Sequence, residues 1–301
     1  MKFSVTLVSL TLLLAGSVEA AHVKRGNNHR RHNGPSATFI APTSQPTATA
    51  IPSPAPSSPS TGDGASKRGL AFNDVNLTKN FNSPKVTWAY NWASSHQGDL
   101  PGGVEFVPML WSADGSKTNV WQDDATAAIA SGSKYLLAFN EPDLGAQANM
   151  SPEVAAEAYK TYVNPFAGKA KLIAPAITNG GAPMGTDWLD RFLAACGTDC
   201  HIDGFAFHIY DSASNTDYFK TYISDFVSKY SKDGKECLLT EFGASGSSEE
   251  QQQFLNQILP VLDSLDGLTH YAYFGTLPDF LPLLPFFHTL IRTVTAFTVG
   301  C

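Results

Sequence analysis

Eight short apolar runs recur between Gly69 and Gly275, and they constrain the fold more than any other feature of the chain. They are GLAFN (69–73), VTWAYNW (86–92), VEFVPMLW (104–111), YLLAFNEP (135–142), KLIAPAIT (171–178), IDGFAFHIY (202–210), CLLTEFG (237–243) and THYAYFG (269–275). Most are apolar at nearly every position rather than at every second one. Parallel strands covered on both faces read this way, whereas a strand with one wet face alternates. The stretches between the runs carry helix signals. In SPEVAAEAYKTYV, Ser151 is expected as the N-cap and Pro152 as the first helical residue. In SEEQQQFLNQILPVLDSL, Ser248 and Gln251 stand at capping-box spacing, and Phe254, Leu255, Ile258, Leu259 and Leu262 form one stripe despite Pro260. Eight runs with helical or loop connections, in a segment near the ~250 residues typical of the architecture, predict an α/β chain folded as one (β/α)8 TIM barrel. An open α/β sheet is the alternative.

The flanks differ in composition. Residues 1–20 join a basic start to an apolar run and end at Ala20, the layout of a signal peptide. That run is too short to span a bilayer, so export without stable membrane insertion is expected. Residues 21–68 combine a basic pro-segment, HVKRGNNHRRH, with a Ser/Thr/Pro-rich stretch that lacks the apolar surface to offset its ordering entropy. The pairs Lys24-Arg25 and Lys67-Arg68 resemble kexin-type processing sites. The barrel is expected over 69–280, followed by an atypical apolar tail over 281–301 in which Pro282, Pro285 and Arg292 argue against a membrane span. Asn76, in NLT, is a candidate glycosylation site, and Asn149, in NMS, a weaker one.

A net charge of −7 gives no reason to expect a nucleic-acid partner. The four cysteines are too few for a disulfide scaffold, so an ordinary core must drive folding. Cys200 and Cys237 precede the sixth and seventh runs at the same end of a parallel barrel. A Cys200–Cys237 bridge is therefore expected, with Cys196–Cys237 as the second choice and Cys301 unpaired. The His and Cys spacing does not resemble a zinc site, and neither metal nor cofactor is expected.

Active sites of parallel barrels gather at the carboxyl ends of the strands, so the residues that close each run are the informative ones. They include Asn73 and Asp74, then Tyr90, Asn91 and Trp92, then Trp111. The later runs close with Asn140 and Glu141, Thr178 and Asn179, His208 and Tyr210, Glu241, and Tyr271 and Tyr273. Two are glutamates. Paired carboxylates are the machinery of glycoside hydrolysis, one neutral to protonate the departing oxygen and one ionised to attack or assist at the anomeric carbon. Either NEP or TEFG alone would equally suit a turn; together, each at a run end among aromatics, they point to a site. Trp88, Trp92 and Trp111 could stack on sugar rings, but aromatics on apolar runs are core more often than not, and only Trp111, at the very end of its run, is favoured.

FNEPDL, FAFHIY, LLTEFG and YAYFG, in this order and spacing, resemble glycoside hydrolase family 128, secreted and mostly fungal endo-β-1,3-glucanases on a compact barrel. The resemblance covers roughly Gly69 to Phe280. It implies Glu141 as general acid/base, Glu241 as nucleophile of a retaining reaction, and Asn140 as a ligand of the sugar 2-hydroxyl. It further implies that His208, Tyr210 and Tyr273 surround the reacting sugar, with Tyr210 donating to the nucleophilic carboxylate. Asn91 and Trp111 complete the expected binding set. The expected partner is β-1,3-glucan, the enzyme acting as a monomer outside the cell or in its wall. Another β-glycan hydrolase, such as a β-1,4-glucanase or mannanase, and a non-catalytic glucan-binding wall protein remain the alternatives.

Overall fold

The computed structural model describes residues 66–81 and 83–276. The expected signal peptide, most of the linker and the apolar tail lie outside them. Eight parallel strands are present: β1 (Arg68–Phe72), β2 (Val86–Tyr90), β3 (Glu105–Phe106), β4 (Tyr135–Leu137), β5 (Lys171–Ile177), β6 (Gly204–Ser212), β7 (Glu236–Ser245) and β8 (Leu268–Thr276). They pair in the order β3-β2-β1-β8-β7-β6-β5-β4. A parallel bridge between Met109 and Leu137 joins the two ends into a ring. The third apolar run forms only a two-residue strand because Pro108 has no N–H to give the ladder. Beyond it the chain stays extended and closes the ring through Leu110 N–H to Leu137 O and Leu137 N–H to Pro108 O, both 2.9 Å.

The connections are α1 (Val75–Thr78), α2 (Gly115–Ala130), α3 (Pro152–Tyr162), α4 (Gly185–Cys196), α5 (Thr216–Tyr230) and α6 (Ser248–Ser264), and β2 reaches β3 through a loop without a helix. Ser151 caps α3 with Pro152 in its first turn, as its sequence implies. The capping box of α6 lies one residue earlier than the sequence spacing suggested: Ser247 accepts from Glu250 N–H, and Glu250 reaches back to Ser247 N–H. Glu250 serves better because its carboxylate also meets the positive end of the helix.

The strand residues divide by parity into two apolar layers. Leu70, Phe72, Phe205, Phe207, Ile209, Leu239, Phe242, Tyr271 and Tyr273 face outward with the helices. Ala71, Trp88, Tyr90, Leu137, Ile173, Ala206, Leu238 and Ala272 fill the barrel. Trp88 fits there because a Cβ on Gly69 would stand 2.2 Å from its ring.

One expectation changes. The disulfide joins Cys196 and Cys200, with Cα atoms 5.3 Å apart, and Cys237 is free and buried. Cys196 ends α4 and the following turn brings Cys200 back beside it, while Cys237 points outward from β7 into the layer beneath the helices. The first strand, β1, begins at Arg68. Arg68 is the buried first residue of β1, paired with Asp263 at 2.5 Å and donating to the Tyr271 hydroxyl at 2.9 Å. Lys67 donates to the Leu265 carbonyl at 2.8 Å. This dibasic pair is thus part of the fold, and a cut after Arg68 would remove the Arg68–Asp263 pair from it. Among the described residues no helix is long and apolar enough to cross a membrane.

At the amino end of the barrel His270 stands edge-on to Tyr135 (4.5 Å) and Trp88 (5.3 Å). Burial pushes its imidazole down to about 4, against the attraction of Glu236 and helped by Lys171 and Lys134. The unfolded chain takes up this proton near 6.5 and the folded one only near 4. Stability present above 6.5 is therefore lost as pH falls through that window, by up to about 3 kcal/mol. Urea unfolding of the wild type and His270→Phe at a series of pH values from 7 to 4 should show a shallower acid loss in the variant.

Candidate active site

The carboxyl ends of β4, β6 and β7 bring together Glu141, His208 and Glu241, all buried. A carboxylate oxygen of each glutamate and a ring nitrogen of the histidine lie within 4.8 Å of one another. His208 stands between the two acids. Its Nδ1 lies 2.8 Å from Glu141 Oε1, and its Nε2 lies 2.9 Å from Thr240 Oγ1 and 3.6 Å from Glu241 Oε1. Burial works against a charge on this ring, but the Glu241 charge and the Glu141 contact outweigh it and raise its pKa.

A strand irregularity makes this arrangement possible. The pairing of β7 slips against β6 between Phe207 and His208, and against β8 between Leu239 and Phe242. One extra residue therefore sits in β7, so that Leu239 and Phe242 both face outward with two residues between them. A bulge of this kind re-aims side chains, here turning both Thr240 and Glu241 toward the site.

Glu241 is held by three donors. Tyr210 Oη–H donates to its Oε2 at 2.5 Å, and Trp92 Nε1–H to its Oε1 at 2.6 Å. The Tyr90 hydroxyl adds a longer bond at 3.3 Å and donates to the Thr240 carbonyl at 3.0 Å. Burial first, and then the neighbouring Glu241 charge, push both phenols well above their ordinary value, so they stay protonated donors. Phe274 closes this side, its ring 5.6 Å from Trp92 and 5.8 Å from Tyr210.

Glu141 stands on strained backbone. Its φ is +42°, in the left-handed region that a non-glycine residue adopts at a cost, and Trp92 shares the strain at φ +56°. The flanking bonds fix the conformation: Glu141 N–H to Ala176 O at 2.8 Å and Asn140 N–H to Trp111 O at 2.9 Å. Asp143, the last residue of NEPD, is a structural tie. It accepts from Thr178 Oγ1 at 2.6 Å and from Gly185 N–H at 2.8 Å, which fastens the loop to the start of α4.

The other expected residues divide. Asn140 is buried beside Glu141, its Nδ2 donating to Gln147 Oε1 at 3.3 Å, and its Oδ1 is a buried atom with no hydrogen-bond partner. Trp111 is half-buried against the interior layer, next to Asn140 through the backbone bond. Asn91 instead serves its own loop, donating to the Ser95 carbonyl and accepting from Ala93 N–H. Tyr273 faces away from the carboxylates: it lies in the outer layer and its hydroxyl donates to Gln251 of α6 at 3.1 Å. Strand parity is the reason, since adjacent residues point to opposite faces and Phe274 takes the inward place. Trp92, Tyr90, Thr240 and Phe274 join the site beyond the expected set. The spacing of Trp88, Tyr90 and Trp92 at i, i+2 and i+4 is the sequence signal that places them on one face. Glu141, His208 and Glu241 could offer ligand atoms to a cation, but both ring nitrogens of His208 are already engaged.

A buried pair of glutamates at the carboxyl ends of β4 and β7 of a parallel barrel, ringed by Tyr, Trp and His, defines a glycoside hydrolase. Residues 69–283 match the family model of the glycosyl hydrolase catalytic core, and the chain belongs to that family. It resembles the solved structure of a family 128, subgroup III, curdlan-specific exo-β-1,3-glucanase from Blastomyces gilchristii in complex with glucose. The identity there is 45%, over 71% of this chain and 92% of the other, with a TM-score of 0.67. A subgroup I endo-β-1,3-glucanase from Amycolatopsis mediterranei, in complex with laminaritriose, matches at 32% identity over 72% and 92% of the two chains, with a TM-score of 0.59. Alkali-sensitive linkage protein 1 of Schizosaccharomyces pombe is 30% identical over 69% of this chain, and the match spans 38% of that relative's length.

Gly243 offers a test of the nucleophile's surroundings. A Cβ there would stand 2.8 Å from Tyr210 Cε1. Gly243→Ala should push the phenol off Glu241 without deleting any polar group. Glycosidase activity should fall on the order of 10²-fold, the cost of a small misplacement in a site. Thermal unfolding measured beside it should move little.

Proposed function

We propose that this chain hydrolyses β-1,3-glucan with retention of configuration. The approach of Glu141 and Glu241 within 4.8 Å carries the reading. Retaining glycosidases hold their carboxyl groups ~5–5.5 Å apart, whereas inverting ones need ~6.5–9.5 Å to admit a water. In the first step a Glu241 oxygen bonds to the anomeric carbon as the glycosidic C–O bond breaks. Protonated Glu141 gives its proton to the leaving oxygen, and a glycosyl ester remains on Glu241. In the second step Glu141, now a carboxylate, takes a proton from water as the water oxygen bonds to the anomeric carbon and Glu241 leaves.

Asn140 serves the sugar 2-hydroxyl in this reading. Its partnerless Oδ1 is an acceptor that a sugar hydroxyl would satisfy as the ring enters the site. Trp111 offers an apolar face beside it. His208, buried behind the carboxylates, acts on Glu141 rather than on the sugar. The enzyme works as a monomer outside the cell or in its wall, a placement supported by the apolar N-terminal segment and the Ser/Thr/Pro-rich stretch after it.

Endo action on internal bonds is the primary reading. Exo action is the second, favoured by the 45% identity to an exo-acting relative. Incubation with linear β-1,3-glucan, cellulose and mannan separates the possibilities. Product from β-1,3-glucan alone, first appearing in the β configuration by NMR, is the expected result. A ladder of oligosaccharides supports endo action and glucose from the outset supports exo action. Glu141→Gln and Glu241→Gln should each lower the rate by roughly 10²–10⁴-fold or more while keeping the fold. Full activity in either variant, or cleavage of cellulose or mannan instead, defeats the assignment.

A further inference from the structure

His208 has two carboxylates within ion-pair reach and hydrogen-bonds to one of them. What decides the choice is Thr240. The bulge in β7 brings this fully buried threonine inward, and its hydroxyl lies 2.9 Å from His208 Nε2, nearer than Glu241 Oε1 at 3.6 Å. We propose that Thr240 is a positioning residue that occupies His208 Nε2, commits the ring to Glu141 and keeps it from bridging to Glu241. The inference rests on the roles proposed above for the two glutamates.

The geometry gives the reason. An imidazolium has two N–H donors in one plane, and here Nδ1–H points to Glu141 Oε1. If Nε2–H met Glu241 as well, one cation would tie acid/base and nucleophile together and blunt the nucleophile with a strong charged hydrogen bond. The threonine oxygen accepts that proton instead. Glu241 is then left with neutral donors, Tyr210, Trp92 and Tyr90. Glu141 Oε1 keeps its Nδ1–H donor through both steps, while Oε2 carries the proton to and from the substrate. The charged and titratable groups around His208 are Glu141 and Asp143 from the β4 end, Glu241 from β7, Tyr90 from β2 and Tyr210 from β6 itself. The backbone carbonyl of Thr240, which accepts from Tyr90 at 3.0 Å, would stay in place in any side-chain variant.

Thr240→Val keeps the volume and branching and removes the hydroxyl. On whichever β-glycan the wild type cuts, kcat should fall at least tenfold with KM within twofold, because Thr240 is fully buried beneath the carboxylates. The acid limb of the kcat/KM profile should move to lower pH as the imidazolium reaches the nucleophile. Thr240→Ser, which restores the oxygen, should recover kcat and the profile. A substrate-free measurement stands apart from the function: by ¹⁵N NMR the His208 ring should titrate at higher pH in Thr240→Val than in the wild type, Nε2–H having gained a carboxylate. Valine kinetics within twofold of wild type, an unchanged ring titration, or serine no better than valine would each overturn the proposal. A wild type inert on all β-glycans, with the ring titration shifted as expected, would instead count against the proposed function and leave the placement of His208 by Thr240 standing.

Discussion

Two carboxylates buried within 4.8 Å of each other set the terms for everything around them. If both were ionised they would repel by about 3.5 kcal/mol at an effective dielectric near 20. Burial would also strip each of water, a loss that only hydrogen bonds can offset. The site answers with different partners for each acid: hydroxyl and indole donors on Glu241, and the His208 ring on Glu141. The acids are thus separated by chemistry as well as by position. The donors come from the ends of β2 and β6 and the acids from those of β4 and β7, so the parallel barrel is what makes the arrangement available.

Barrel and site meet in the β7 bulge. A regular strand would have sent either Thr240 or Glu241 out toward the helices. The extra residue faces both inward and returns Phe242 to the outer layer, where it meets Tyr271 and Tyr273 edge-on. The same local irregularity therefore serves core packing and the site. Gly243 follows at once and leaves room for the Tyr210 ring. The motif TEFG reads physically as second acceptor, carboxylate, outer-core anchor and ring seat.

The eight strands were legible because each is buried on both faces and so reads as an apolar run. The same double burial hid which way each side chain points. In YAYFG nothing local says whether Tyr273 or Phe274 faces the interior, and the ring that lines the site proved to be the phenylalanine. Glu141, Glu241, His208 and Tyr210 were readable because a charged or polar group at the end of an apolar run has few structural uses. Trp92 was passed over because an aromatic in such a run is usually core, and only its indole N–H on Glu241 reveals it. Asn91, equally polar and equally terminal, went to its loop, since an Asn can satisfy nearby backbone groups by itself. Strand adjacency in the sequence points to Cys200–Cys237, but chain proximity decides the pairing. Cys196 and Cys200 are four residues apart across one helix end.

Strain is distributed in a way that supports the same centre. Four described non-glycine residues have positive φ, and two are Asn149 and Asp233, types that tolerate the left-handed region. The other two are Trp92 and Glu141, which do not. One is a donor to Glu241 and the other is the facing acid. A relaxed backbone at either position would re-aim a side chain whose hydrogen bonds are specific. Such strain costs on the order of 1–3 kcal/mol per residue and persists only where surrounding contacts over-determine it. Here those contacts are visible. Glu141 is pinned by the Ala176 carbonyl, by Asn140 on Trp111 and by Pro142, whose carbonyl accepts from Met150 N–H at 2.9 Å. The proline after the glutamate thus does more than end a strand. It anchors the loop that keeps a strained acid aimed across the barrel at its partner.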